Sequence, residues 1–76
     1  MAKRDVLKAF GDRIREVRLR KGLSQEQLAR LAEIDRTYIG GIERGERNLG
    51  IKNVWRIADA LGIPAADLFR EEGSNA

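Results

Sequence analysis

The sequence has 76 residues, of which 42% are hydrophobic and 36% charged, and it contains neither cysteine nor histidine. This length allows one domain with a modest core, and the missing residue types exclude disulfide frameworks and the usual ligands for zinc, iron or copper. They also remove the usual base that would activate either serine, Ser24 or Ser74. We therefore expect no metal, no cofactor and no enzymatic activity.

Charge is unevenly distributed around the net value of +3. Residues 3–21 carry eight Lys or Arg against three acids, whereas residues 57–76 carry one Arg against four acids. This asymmetry is typical of a face for a polyanion, and it is also compatible with a soluble helical protein whose surface charge is simply uneven. No apolar stretch approaches the roughly 20 residues that span a bilayer, and the N-terminus lacks a secretory apolar core. We expect a cytoplasmic protein without a membrane partner.

The first predicted helix covers residues 5–21. Its apolar residues step by three and four, which is the spacing of one helix face, and Gly22 follows as a stop signal. Those residues are Leu7, Phe10, Ile14 and Val17.

The second and third predicted helices each begin at a cap. Ser24 and Gln27 have the spacing of a capping box, which predicts helix 2 over residues 25–32. Asp35 can accept a hydrogen bond from an amide two or three residues on, which predicts helix 3 over residues 36–44, closed by Gly45.

Two further helices complete the predicted fold. The apolar period returns over residues 51–61 and stops at Gly62, which gives helix 4. Pro64 suits the first turn of a short helix 5 over residues 65–69, and the aperiodic residues 71–76 are expected to fray. The sequence thus predicts a compact all-α fold of five helices in a single domain over residues 1–76.

Two short helices joined by a short turn, the second capped and facing outward, form a helix-turn-helix. Residues 10–69 resemble the Cro/repressor type of helix-turn-helix. Within them, three segments are similar to the controller proteins of restriction–modification systems; they are 35–39 (Asp-Arg-Thr-Tyr-Ile), 41–45 (Gly-Ile-Glu-Arg-Gly) and 47–48 (Arg-Asn). The resemblance implies a repressor-like DNA-binding domain and a transcription regulator that acts on its own promoter.

Helix 3 is the predicted recognition helix. Ile39 and Ile42 are expected to pack inward, and the opposite side is expected to contact bases; the predicted base contacts are Arg36, Thr37, Gly40 and Gly41. Arg36 can donate in bidentate fashion to guanine, and Thr37 can meet a base edge or a thymine methyl. The alternative for Arg36 is a solvated side chain paired with a neighbouring acid, Glu33 or Asp35.

The adjacent glycines are unusual inside a helix, since each costs on the order of 1 kcal/mol relative to alanine. We expect them to allow a close approach of the helix backbone to DNA or to a facing helix. The alternative is drift at a tolerant surface position. Few side chains would then read bases, so DNA shape is expected to carry part of the specificity.

Six residues at the edges of helices 2, 3 and 4 are predicted phosphate contacts, which position a protein on DNA without specifying sequence. They are Gln25, Tyr38, Arg44, Arg47, Asn48 and Lys52. The resemblance supports Gln25 in particular, because repressor-like proteins place a glutamine there against a phosphate. Lys52 is equally compatible with a solvated lysine.

The resemblance also implies a structural ion pair between Arg18 of helix 1 and Glu43. It exposes one departure, because the family usually has glycine in the turn where this chain has Glu33. A left-handed backbone at a residue other than glycine costs roughly 1 kcal/mol, so we expect the turn, and with it the aim of helix 3, to differ slightly from the family.

A homodimer is predicted from four apolar residues near the C-terminus, Leu61, Ile63, Leu68 and Phe69, which we expect a small core to leave partly uncovered. Twofold symmetry would place two recognition helices about 34 Å apart, matching a palindromic operator in double-stranded DNA. The alternative is that these residues close the core of a monomer.

The leading hypothesis is a controller protein of a restriction–modification system. A phage-type repressor or an antitoxin would use the same fold. From another class, the basic face of a helix-turn-helix adaptor could dock on an acidic protein. Activation, repression and any RNA polymerase contact stay open.

Overall fold

The computed structural model of the protein describes residues 5–70, and these form four α-helices and one short 3-10 helix. The elements are α1 (Val6–Arg20), α2 (Gln25–Ala32), α3 (Arg36–Glu43), α4 (Ile51–Leu61) and the C-terminal 3-10 helix (Ala65–Phe69). The described part contains no strand, so the all-helical class is confirmed. None of its helices is both long and apolar enough to cross a membrane. The predicted fraying of residues 71–76 lies outside the described residues.

The fifth helix is the one element whose type differs from the prediction. Its five residues begin after Pro64, and the amide of Asp67 donates to the Pro64 carbonyl at 2.9 Å, three residues back. A segment this short forms i to i+3 bonds more readily than an α-helical ladder. The correct count is four α-helices and a 3-10 helix.

Local caps fix where the helices begin. The Ser24 hydroxyl accepts from the Gln27 amide at 3.0 Å and the Gln27 side chain accepts from the Ser24 amide at 2.8 Å, which forms the predicted capping box. Asp35 accepts from the Thr37 amide at 2.8 Å at the start of α3. Asp5 caps α1 by accepting from Lys8 instead of being its first residue. Each cap satisfies a backbone donor that would otherwise lack a partner.

The turn between α2 and α3 keeps a left-handed backbone despite its non-glycine residue. Glu33 has φ 59° and ψ 44°, and its amide donates to the carbonyls of the last turn of α2. It is the only residue other than glycine with positive φ in the described part of the chain. The orientation of α3 is therefore set by a regular helix C-cap, at the conformational cost of placing Glu33 there.

The core joins all five elements. Its fully buried side chains come from every helix, so each element contributes to one cluster, and they are Ile14, Leu28, Ile39, Ile42, Ile57 and Leu68. Leu61 is also buried, at 2% exposure. The prediction that Leu61 and Leu68 stay partly uncovered is therefore wrong, because the 3-10 helix folds back over α1 and α4 and covers both within one chain.

Gly11 sets the distance between α1 and α3. A Cβ built on it would lie 2.2 Å from the Ile42 carbonyl oxygen and 2.8 Å from that of Glu43. No side chain fits in that space, so the glycine brings α3 directly against the backbone of α1. The helical period of α1 gave no signal for this contact.

Candidate nucleic-acid interface

The N-terminal turn of α3 presents its side chains to solvent. Arg36 and Thr37 are exposed, whereas Ile39 and Ile42, on the opposite side, are buried as predicted. Among residues 5–70, Arg36 has neither an ion pair nor a hydrogen bond, so the alternative of a local pair with Glu33 or Asp35 is not what the structure contains. Its guanidinium is available for a ligand.

A polar cleft of about 470 Å³ separates this turn from the start of α2. Its lining comes from α1, α2 and α3, namely Arg18, Ser24, Gln25, Glu26 and Arg36. The N-terminus of α2, the positive end of its helix dipole, borders this cleft, and a helix N-terminus favours anions.

A buried ionic cluster supports the cleft from below. Arg18 donates to both carboxylate oxygens of Glu43, from Nε at 2.7 Å and from Nη2 at 2.9 Å, and from Nη1 to the Leu23 carbonyl at 2.8 Å. The pair expected from the family resemblance is therefore present and bidentate. Gln25 adds a third donor, with Nε2 3.0 Å from Glu43 Oε1. The cluster ties α1, α2 and α3 together and neutralises the carboxylate of Glu43.

The bond from Gln25 to Glu43 has no signal in the sequence, because it joins residues 18 apart. It leaves Gln25 half-buried beside the cleft with one amide hydrogen uncommitted. The predicted phosphate contact of Gln25 stays a prediction.

The loop after α3 folds back along the helix. The Tyr38 hydroxyl donates to the Asn48 carbonyl at 3.1 Å, and the Arg47 guanidinium carbon lies 5.9 Å from the centroid of the Tyr38 ring. Arg47 and Asn48 are exposed, and Tyr38 is half-buried. Three of the predicted phosphate contacts are thus brought together.

The other two predicted phosphate contacts are separate cations. Arg44 is exposed at the end of α3, with Nε 3.1 Å from Glu46 Oε1. Lys52 is exposed in the first turn of α4, and it has no ion pair among the described residues. Nothing in the described contacts distinguishes Lys52 from a solvated lysine.

Gly40 and Gly41 are both buried in the free protein, and the base contacts predicted for them stay a prediction. A Cβ on Gly40 would lie 3.1 Å from Arg44 Nη1, and a Cβ on Gly41 would lie 2.7 Å from Arg47 Cγ. The long side chains of these two arginines cover the glycines. The backbone of both glycines would become accessible only if the arginines moved.

One apolar surface lies around the two ends of the described region, and single exposed apolar side chains lie elsewhere, namely Leu19, Leu31, Ile51 and Trp55. Phe69 is 62% exposed, and its ring centroid lies 5.1 Å from that of Phe10, while Ile63 is half-buried. Beside them is an open apolar groove of about 190 Å³, lined by Val6, Leu7, Phe10, Asn48, Leu49, Val54 and Phe69. We call these residues the apolar groove.

Within residues 5–70 there is no cluster of acidic residues that could hold a metal. The exposed groups around α3 include the cations Arg36, Arg44 and Arg47, together with Asp35 and Glu46, which serve as a cap and as the partner of Arg44. Chemically, the arrangement suits non-covalent recognition of an anionic surface with hydrogen-bond acceptors.

A capped outward helix, a second helix with its N-terminus beside it and a rim of arginines define a helix-turn-helix DNA-binding protein. Residues 14–68 match the family model described as helix-turn-helix, and the chain belongs to that family.

Within this family, the chain is similar to controller proteins of restriction–modification systems. It is 47% identical over 61 residues to control protein C.BamHI from Bacillus amyloliquefaciens, covering 79% of this chain and 75% of that protein. It is 38% identical over 68 residues to control protein C.MunI from a Mycoplasma species, covering 88% and 92%. The crystal structure of the controller protein C.AhdI from Aeromonas hydrophila aligns with a TM-score of 0.82 at 52% identity, covering 83% of this chain and 96% of that one. The resemblance found in the sequence is confirmed.

Proposed function

We propose that the protein is a sequence-specific DNA-binding transcription regulator, a controller protein of a restriction–modification system that acts on its own promoter in the cytoplasm. The observation that carries this proposal is the first turn of α3, where the side chains of Arg36 and Thr37 are exposed and form no ion pair or hydrogen bond within residues 5–70, while Ile39 and Ile42 are buried in the core. The relatives named as controller proteins support the same assignment.

In this proposal, Arg36 and Thr37 contact base edges in the major groove. A guanidinium matches the O6 and N7 acceptors of guanine, and a threonine presents both a hydroxyl and a methyl group. Gly40 adds a backbone contact only after Arg44 moves, whereas Gly41 stays covered by Arg47. Direct base contacts are therefore few, and the deformability of the operator contributes to selectivity.

The phosphate contacts come from both sides of α3. Gln25 donates from the start of α2, while Tyr38, Arg44, Arg47, Asn48 and Lys52 follow the far edge. Neutralising phosphates with Arg44, Arg47 and Lys52 releases counterions, so affinity falls steeply as salt rises. If the protein were instead a protein-interaction adaptor, duplex DNA at low salt would not compete with its protein partner for binding. This competition experiment separates the two functions.

We further propose that the protein acts as a homodimer through Phe69, Ile63 and the apolar groove, with no cofactor. An isologous interface at this end places two copies of α3 on one face of a duplex. The expected operator is palindromic, with half-sites about one helical turn apart.

Arg36→Ala is expected to relax sequence preference at one base pair in each half-site and to cost about 1–3 kcal/mol of binding free energy on the preferred operator. The operator is first selected from a random pool of duplexes, and binding is then measured on matched and single-substituted sites. Arg47→Ala is expected to weaken binding to all sequences alike, because it removes a phosphate contact.

Arg15→Ala is the matched control, since Arg15 is exposed on α1 and its removal changes the net charge by the same amount. It should leave sequence preference unchanged. Unaltered preference in Arg36→Ala would contradict the assignment of α3 as the recognition helix.

A further inference from the structure

We propose that Gly41 is a positioning residue for Arg47. The missing Cβ lets the stem of Arg47 lie across α3 and holds its guanidinium beside the Tyr38 ring, at the edge of the DNA-facing side. This inference rests on the proposed function, because it concerns how a phosphate contact is prepared before DNA arrives.

The packing of Arg47 on Gly41 is close along the whole stem. A Cβ at position 41 would lie 2.7 Å from Cγ, 3.4 Å from Nε and 3.7 Å from Cδ of Arg47. Ordinary carbon contacts begin at about 3.5 Å. The stem of Arg47 therefore occupies the volume that any larger residue at position 41 would need.

Two backbone-anchored contacts hold the loop that carries Arg47 in this place. The Glu46 amide donates to the Gly41 carbonyl at 2.8 Å, and the Tyr38 hydroxyl donates to the Asn48 carbonyl at 3.1 Å. Arg47 lies between these two bonds in sequence, with its guanidinium carbon 5.9 Å from the Tyr38 ring centroid. A cation over an aromatic face is attracted by the ring quadrupole. Both the methylene stem and the guanidinium of Arg47 therefore have a defined position.

In that position, the guanidinium of Arg47 is available to bind a phosphate. Among residues 5–70 it forms no ion pair, whereas the neighbouring Arg44 is bonded to Glu46. An exposed guanidinium fixed against an aromatic ring loses less side-chain entropy when it binds a phosphate than a freely rotating one does. The geometry favours pre-organisation of Arg47 over simple coverage of a glycine.

The two adjacent glycines differ in what would have to move. At Gly40 the nearest atom is Arg44 Nη1, the far end of a flexible side chain, at 3.1 Å. At Gly41 it is Cγ of Arg47, in the middle of the stem, so a methyl group there forces a change of rotamer. Alanine is the better helix former. The glycine at position 41 instead leaves the space of a side chain open, and the stem of Arg47 occupies it.

The test is a double-mutant cycle of wild type, Gly41→Ala, Arg47→Ala and the double variant, with binding to a selected operator followed by fluorescence anisotropy. Gly41→Ala is expected to weaken binding by about 3- to 10-fold, the cost of ordering one long side chain on association. Thermal unfolding of the same variant is expected at or above the wild-type midpoint. In the Arg47→Ala background, Gly41→Ala should have no further effect.

The outcomes separate this inference from its alternatives. An equal loss in the Arg47→Ala background would show that the methyl group clashes with DNA directly and would overturn the positioning role, as would unchanged affinity in Gly41→Ala. Wild-type protein that binds no duplex from the random pool would contradict the proposed function instead.

A measurement without DNA tests whether the Arg47 side chain lies beside the Tyr38 ring, whatever the binding result. In the NMR spectrum of the free protein, the Arg47 side-chain protons should be shifted upfield by the Tyr38 ring. That shift should be lost in both Gly41→Ala and Tyr38→Leu. Arg47 resonances at random-coil positions in the wild-type protein would overturn the inference.

Discussion

Glu43 is an acidic residue in a helix proposed to approach a polyanion, and its surroundings explain how this is tolerated. Its side chain is 2% exposed and receives three charged or polar donors, two from Arg18 and one from Gln25. No buried side-chain polar atom in the described part of the chain lacks a partner. The carboxylate is therefore a structural element of the three-helix junction, and its charge is compensated before DNA is met.

Glu43→Ala is expected to lower the free energy of unfolding by about 3–5 kcal/mol, because it leaves the Arg18 guanidinium buried without its counter-ion. Urea unfolding followed by circular dichroism measures this loss. Asp12→Ala is the control, since its pair with Lys8 is more than half exposed on both sides and such pairs contribute about 1 kcal/mol or less. Equal losses in the two variants would contradict a structural role for the buried pair.

The sequence predicted the residues whose roles depend on local signals. The caps at Ser24 and Asp35, and the inward isoleucines of α3, follow from spacing along one helix, and all are present. The burial of Gly40 and Gly41 was not predicted, because it depends on Arg44 and Arg47, which lie after the glycines and take rotamers that no periodicity encodes. Gly11 was missed for a similar reason, since its contact is with another helix.

At the scale of elements, the α-helices begin and end within one residue of the predicted positions, because caps and stop signals are read locally. The short C-terminal helix was predicted in place but not in type. Five residues after a proline carry too few apolar positions to separate a 3.0-residue from a 3.6-residue period. The turn at Glu33 is the element that the sequence left most uncertain, and it is a regular left-handed C-cap.

Glu33→Gly is expected to raise the free energy of unfolding by roughly 1 kcal/mol, because the left-handed backbone at φ 59° costs about that much for a residue with a Cβ. Thermal unfolding measures the gain. Lys21→Gly is the control at the end of α1, where the backbone has φ −83° and glycine offers no advantage. A midpoint for Glu33→Gly no higher than wild type would show that the Glu33 side chain itself stabilises the turn.

At the scale of the whole molecule, the C-terminal 3-10 helix decides which apolar residues a partner could reach. Arg13 Nε donates to the Asp67 carbonyl at 2.9 Å across 54 positions of sequence and fixes this helix to α1. Leu68 is thereby buried at 1% exposure, while Phe69 beside it stays 62% exposed. Of these two neighbouring residues, Leu68 therefore belongs to the core and Phe69 to the surface. Counting apolar residues near a chain end does not make this distinction.

This division changes what substitutions at the proposed dimer interface should do. Phe69→Glu is expected to yield a folded monomer, with the dimer dissociation constant raised about 10- to 100-fold by the loss of one buried aromatic side chain. Leu68→Glu is expected to unfold the chain instead, because it places a carboxylate in the core. Sedimentation velocity and circular dichroism on the same samples separate the two effects. Leu31→Glu, which replaces a 58% exposed leucine of α2, should change neither. A Phe69→Glu protein that sediments as an unaltered dimer would place the interface away from the apolar groove.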